Sequence, residues 1–90
     1  MAQYRKKPVV IEAWPVRGLL HAATESWDML PQPVIEAYEN SVLLFHPGGV
    51  SVRTQEGVMR AAPDDMLIRG VKGEFYPCKP DIFEATYEPA

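Results

Sequence analysis

The chain has 90 residues, of which 47% are hydrophobic, so it can bury one core and is too short for two ordinary domains. Nine basic and twelve acidic side chains give a net charge of −3, which argues against a protein that binds nucleic acid by neutralising phosphates. The longest apolar runs, such as Val42 to Phe45, are too short to cross a bilayer, so we expect no membrane insertion.

Cysteine usage points to a reducing compartment. Cys78 is the only cysteine, so no disulfide can form within the chain. The first residues also lack the positive region and apolar stretch of a secretory signal. We therefore expect a cytoplasmic protein.

The first predicted element is a strand over Val9–Trp14, which is rich in β-branched residues and bracketed by Pro8 and Pro15. The basic residues Arg5, Lys6 and Lys7 precede it. Three charges beside a terminus are more often a solvated lead-in than a nucleic-acid contact. We interpret them as the former.

A helical portion is predicted next, because helix-forming residues become common across Leu19–Asn40. Thr24 can cap a short helix that ends at Met29. Pro33 suits the first turn of a second helix, which Asn40 ends. An apolar stripe on that helix should cover the sheet and comprises Val34, Ile35 and Tyr38.

From Ser41 onward, short β-type runs alternate with compact turn signals, as in an antiparallel meander. The sequence His46-Pro47-Gly48-Gly49 fits a type II turn. The predicted strands are Val42–Phe45, Val50–Thr54, Val58–Ala61, Met66–Val71 and Glu74–Pro77. Pro80 then begins a short helix that ends at Glu84, and a last edge strand could cover 86–88.

These elements predict an α+β fold in a single domain, residues 1–90. A small, twisted antiparallel β-meander packs against one or two short helices, and a barrel-like curl of the sheet is left open. In so small a domain most large apolar residues must build the core, and one at the surface would indicate a partner interface. The residues concerned are Trp14, Trp27, Phe45, Phe75, Phe83 and Tyr87.

The segment Gly70-Val71-Lys72-Gly73-Glu74-Phe75-Tyr76-Pro77-Cys78-Lys79-Pro80-Asp81-Ile82-Phe83-Glu84-Ala85-Thr86-Tyr87-Glu88 resembles a family of short proteins encoded by tailed phages and prophages. The opening Tyr4–Ala13 and the hairpin Thr54–Ile68 resemble the same family. Members usually carry Pro-Gly-Asp at 63–65, so Asp64 stands where a glycine is expected. The resemblance implies an accessory role in the cytoplasm of a bacterial host, and it offers no active site to transfer.

Candidate catalytic and metal-binding residues are few. Cys78 could act as a nucleophile only with a base such as His21 or His46, and neither is near it in sequence, so packing is the favoured role. His46 has no partner at metal-ligand spacing. Asp64 and Asp65 are ordinary turn formers. We predict no catalytic residue, metal or cofactor, and an enzyme is the less favoured alternative.

The strongest candidate site is a polar cluster around the last hairpin and the following helix. The hairpin could gather polar side chains around one concavity, and the helix start offers free N–H groups to an anion. The competing interpretation, which we favour, is a solvated face of cross-strand charge pairs with a helix cap. The cluster comprises Arg69, Lys72, Glu74, Tyr76, Lys79 and Asp81.

Three functions remain open. The first is a non-enzymatic interaction module that binds a host or phage protein and could form a homo-oligomer through a sheet edge. The second is capture or turnover of a small anionic ligand, as an anti-defence protein requires. The third is a minor virion or assembly component.

Overall fold

The computed structural model describes residues 2–5 and 7–90, and this part of the chain forms six strands and three α-helices. The strands are β1 (Glu12–Pro15), β2 (Leu43–His46), β3 (Gly49–Thr54), β4 (Gly57–Ala61), β5 (Met66–Arg69) and β6 (Phe75–Cys78). The helices are α1 (Val16–Glu25), α2 (Gln32–Glu39) and α3 (Pro80–Thr86), and a 3₁₀ turn covers Trp27–Met29. No helix in this part of the chain is long and apolar enough to span a bilayer.

The strands form two antiparallel three-stranded sheets, in the orders β2-β3-β4 and β1-β5-β6. The α+β fold class is therefore confirmed, and neither sheet closes into a barrel. The run of hairpins divides at the turn over 62–65, after which β5 pairs with β1 and β6 instead of with β4. The predicted pairing of the first two hairpin strands is confirmed, with Leu43 opposite Val52.

The first strand is shorter than predicted because its partner ends early. Glu12 lies opposite Arg69, the last residue of β5, and the chain then turns at Gly70. Residues 7–11 consequently have no strand to pair with. The predicted strand over Val9–Trp14 is thus wrong in its first half.

The first helix begins earlier than predicted. Thr24 does not cap a helix toward Met29; it lies in the last turn of α1, where its hydroxyl donates to the carbonyl oxygen of Leu20 at 3.0 Å. The predicted second helix is confirmed as α2. Ser41 follows it with a φ of 63°, and the Val42 N–H donates to the Ala37 carbonyl at 2.8 Å, which is a Schellman-type helix end.

The turn over 62–65 supplies the missing cap of α1. The N–H of Val16 donates to the carbonyl of Asp65 at 3.0 Å, and the N–H of Arg17 donates to the carbonyl of Pro63 at 3.1 Å. The Arg17 guanidinium also pairs with Asp64 at 2.5 Å. Asp64 does not adopt a positive φ, so glycine's conformational freedom is not required there.

The hairpin between β2 and β3 differs from the predicted type II turn. A type II turn needs a positive φ at Gly48, but the positive φ of 145° is found at Gly49. An added Cβ at Gly49 would lie 2.0 Å from the carbonyl oxygen of Ala61. Glycine is therefore required where the start of β3 meets the end of β4.

The main core lies between α1, α2 and the inner faces of both sheets. Its fully buried members include Val16, Val34, Leu43, Val52 and Leu67. Ile68 is also fully buried but lies outside this cluster. Its neighbours across the sheet are Ala13 and Tyr76, and they mark the opposite face, on which α3 packs.

The six large apolar residues differ in burial. Phe75 is buried and stacks with Trp14 at 6.4 Å between ring centroids. Phe83 and Tyr87 pair at 5.3 Å, and the predicted edge strand over 86–88 is wrong because α3 continues through Thr86. Trp27 remains 38% exposed.

Candidate functional site

A groove of about 780 Å³ lies between α2, the β3–β4 turn and the β5–β6 hairpin. Its volume falls within the range of ordinary ligand pockets. Apolar side chains from all three walls contribute to it, and they are Pro33, Ala37, Val42, Met59 and Phe75. This groove is called the central groove below.

Charged side chains border the apolar part of the central groove. Three are glutamates, Glu36 on α2, Glu56 in the β3–β4 turn and Glu74 in the β5–β6 hairpin. The other two are Arg53 and Arg69. Carboxylates thus outnumber guanidinium groups at the rim.

The two arginines differ in their partners. Arg69 Nη1 lies 2.8 Å from the Glu12 carboxylate, directly across the β1–β5 pair. Arg53 forms no salt bridge within residues 2–5 and 7–90. Since Glu12 already neutralises Arg69, the rim has an excess of negative charge.

The structure brings together three of the six residues predicted for the polar cluster. Arg69, Glu74 and Tyr76 line the central groove. Lys72 lies exposed in the β5–β6 turn, outside the groove lining. Lys79 and Asp81 lie at the start of α3, also outside that lining.

Glu74 shapes the hairpin turn. Its carboxylate accepts a hydrogen bond from the Lys72 N–H at 3.0 Å, and its carbonyl accepts one from the Gly70 N–H at 2.7 Å. The side chain folds over Gly70 so closely that a Cβ there would lie 2.6 Å from the carboxylate. One edge of the central groove is therefore held in shape by this carboxylate.

Tyr76 points to the α3 side of its sheet. Its hydroxyl lies 3.4 Å from that of Tyr87. Burial raises the pKa of Tyr76 above its ordinary value, and the hydrogen bond to Tyr87 raises it further. The phenol is therefore a neutral hydrogen-bonding group at neutral pH, and not a proton acceptor.

Lys79 and Asp81 lie at the start of α3, where each has a local structural role. The Lys79 ammonium binds the buried carboxylate of Asp65, with distances of 3.2 and 3.3 Å to the two oxygens. Asp81 is exposed in the first turn of α3, where its charge suits the positive end of the helix dipole. The helix start thus carries a carboxylate, and the nearby cation is already paired.

Cys78 is partly buried, and its thiol lies 3.6 Å from the Lys79 carbonyl oxygen. Burial raises the pKa of this thiol, and the carboxylates of Asp65 and Asp81 raise it further. A reactive cysteine requires the opposite shift. This environment favours the packing role over the nucleophilic one.

The histidines take no part in the central groove. His46 Nε2 lies 2.5 Å from the Ser51 hydroxyl, across the β2–β3 pair. His21 and His46 both line a separate concavity of about 530 Å³. In the described part of the chain, no group of three or more His, Cys, Asp or Glu residues could hold a metal ion.

That second concavity is bordered by three aromatic rings that contact one another. Trp27 lies 4.9 Å from Tyr38 and 5.8 Å from Phe45 between ring centroids, in both cases edge to face. Because the rings contact one another, they do not form an aromatic cage that could enclose a cation. These ring contacts pack the 3₁₀ turn against α2 and β2. Tyr38 remains 41% exposed.

Sequence reasoning missed the α2 and β3–β4 sides of the central groove. Glu36, Arg53 and Glu56 reach the groove only because α2 and the β3–β4 turn pack near the β5–β6 hairpin. The only sequence signal for Glu56 was its position in a turn. No family model, curated protein or solved structure matches this chain.

Proposed function

We propose that this chain is a phage- or prophage-encoded accessory protein that works as an interaction module in the bacterial cytoplasm. In this proposal the central groove binds a short, extended, basic segment of a partner protein. The observation that carries the proposal is the combination of an apolar floor with a rim that has an excess of glutamate. The resemblance of 70–88 to phage proteins supports the proposed origin.

The floor and the rim would contribute differently to binding. Met59 is 45% exposed and offers apolar surface, and burial of such surface supplies most of the affinity of a peptide. Glu36 and Glu56 are exposed, so they would select and steer a basic segment more than they would tighten it. A ligand of this class alternates apolar and basic side chains.

Capture of a small anion has weaker support. The two candidate cations for that role are each bound to a carboxylate, Arg69 to Glu12 and Lys79 to Asp65. Arg53 is the only arginine at the groove rim without a salt bridge in the described residues, and three glutamates surround the same space. An anion would meet net repulsion there.

Two synthetic peptides test the proposal directly. One alternates lysine with valine, and the other has glutamate in place of every lysine. Fluorescence anisotropy should show binding of the lysine peptide alone, weakened by added salt. Equal binding of both peptides, or binding of the glutamate peptide alone, would refute the proposal.

Charge reversal locates the binding. In the variant that carries Glu36→Lys and Glu56→Lys, affinity for the lysine peptide should fall roughly tenfold or more. The matched control carries Asp28→Lys and Glu84→Lys, which change the net charge equally at exposed positions outside the central groove. An equal loss in both variants would place the peptide elsewhere.

A further inference from the structure

Residues 2–5 and 7–10, ahead of β1, are all exposed, and Val9 and Val10 border a concavity of about 260 Å³ together with Phe83 and Tyr87. Tyr4 is 94% exposed and Val10 is 77% exposed. The Cα radius of gyration is 13.8 Å, whereas a compact chain of this length has about 12 Å. We call residues 2–11 the arm.

Charge is divided sharply between the arm and the rest of the chain. Arg5, Lys6 and Lys7 give the arm a charge of +3, and no acidic residue precedes Glu12. The remaining six basic and twelve acidic residues give the rest of the chain a charge of −6. The arm thus has the composition that the central groove should select, with basic residues beside the apolar Tyr4, Val9 and Val10.

The arm leaves the domain beside the central groove. Glu12, at the root of the arm, binds Arg69 on the groove rim, and Arg69 lies opposite Phe75 on the groove floor. Two copies related by a two-fold axis near this end would each present an arm to the other's groove. Ten extended residues reach about 33 Å, which exceeds the two shorter extents of the molecule, 26 and 22 Å.

We infer that the central groove binds the arm of a second copy of this chain, so that two copies exchange arms in a closed two-fold dimer. The inference rests on the proposed function, since it names the occupant of the same groove. Pro8 keeps the residue before it in an extended conformation, which suits a segment that binds another chain. Reciprocal exchange satisfies both grooves and leaves no open end for further association.

A charge-swap experiment on the full-length chain tests the exchange. The arm variant carries Arg5→Glu and Lys7→Glu, and the groove variant carries Glu36→Lys and Glu56→Lys. All four residues are exposed, so both variants should fold, as circular dichroism can verify. Each variant alone would place like charges together and should dimerise roughly tenfold or more weakly than the unmodified chain in sedimentation equilibrium.

Mixing the two variants is the decisive step. In the mixed dimer the acidic arm meets a basic groove and the basic arm meets an acidic groove, so a one-to-one heterodimer should form. An arm that folds into its own groove would instead leave the unmodified chain monomeric, so sedimentation equilibrium of the unmodified chain separates that arrangement from the exchange. Two variants that stay monomeric in the mixture would overturn the inference.

Different outcomes refute the arm exchange and the binding of a basic segment by the groove. If the unmodified chain stays monomeric but binds the lysine peptide through Glu36 and Glu56, the groove binds another protein and the arm exchange is refuted. If dimers form but the arm and groove variants leave them intact while Asp28→Lys with Glu84→Lys breaks them, the dimer uses another surface and the exchange is again refuted. Loss of peptide binding together with monomeric behaviour refutes both.

Discussion

The ammonium of Lys79 is bound to both carboxylate oxygens of Asp65, at 3.2 and 3.3 Å. Asp65 is only 4% exposed, and its Oδ2 also accepts a hydrogen bond from the Ala62 N–H at 2.8 Å. The carbonyl of the same residue receives the Val16 N–H. One residue therefore connects α3, the turn over 62–65 and the start of α1.

Removal of the Asp65 carboxylate should destabilise the fold. Asp65→Ala leaves the Ala62 N–H without its acceptor and should lower the free energy of unfolding by about 1–3 kcal/mol. Lys79→Ala should cost less, since the lysine side chain is 64% exposed and water can replace it. Urea unfolding measures both, and a larger loss in Lys79→Ala would contradict this assignment.

Gly49→Ala should be among the most damaging small substitutions. The new Cβ would lie 2.0 Å from the Ala61 carbonyl oxygen, in a backbone conformation with a φ of 145°. We expect a loss of about 2–4 kcal/mol in the free energy of unfolding. Gly57→Ala is the matched control, because Gly57 has a φ of 127° but nothing within 4 Å. Equal losses would show that the clash with Ala61 contributes nothing.

Gly18→Ala should stabilise the protein. Gly18 lies exposed within α1, with nothing within 4 Å of the added Cβ. Glycine in a helix costs about 0.5–1 kcal/mol relative to alanine, so the urea midpoint should rise by the corresponding amount. Gly18→Ser should give a smaller gain because serine forms helix less well. A lower urea midpoint in Gly18→Ala would contradict the absence of any atom within 4 Å of the added Cβ.

Ser41→Gly should also stabilise, for a different reason. Ser41 holds a φ of 63° at the end of α2, a conformation that glycine adopts without strain. We expect a gain of about 0.5–1 kcal/mol in thermal or urea unfolding. Ser26 has a φ of −157°, so Ser26→Gly lacks this benefit and should leave stability unchanged or reduced. An equal gain of stability in Ser26→Gly and Ser41→Gly would show that the positive φ of Ser41 is not the cause.

Tyr76 should make stability depend on pH in the alkaline range. Because its pKa is raised by burial, folded Tyr76 keeps its proton at a pH where an unfolded tyrosine, with a pKa of about 10, has lost it. The unfolded state then binds fewer protons, so the contribution is complete below that pH and is lost as pH rises above it. Tyr76→Phe should show a shallower decline of unfolding free energy with pH, and an equal slope would contradict the argument.

The β2-β3-β4 sheet could be predicted because its turns and strand pairings are all between neighbouring segments of the sequence. Pro47 and Gly48 mark one turn, Gln55 through Gly57 mark the next, and each strand pairs with its neighbour in sequence. The division of the hairpins at 62–65 could not be predicted in this way. It depends on whether β1 or β4 pairs with β5, and both have strand-forming composition.

The same distinction applies to the central groove. Arg69, Glu74 and Tyr76 lie close together in sequence, so a hairpin hypothesis could gather them. Glu36 and Arg53 join them only through packing of α2 and the β3–β4 turn. The role of Lys79 could not be predicted either, because its partner Asp65 is 14 residues away in a different turn.

The β1–β5 pair has a kinetic consequence. Glu12 and Arg69 are separated by 57 residues, whereas β2, β3 and β4 follow one another through tight turns. Closing a long loop costs chain entropy before its contacts form, so local hairpins have the advantage in the folding transition state. We expect the β2-β3-β4 sheet to form the folding nucleus, with β1 docking onto β5 only after the barrier is crossed.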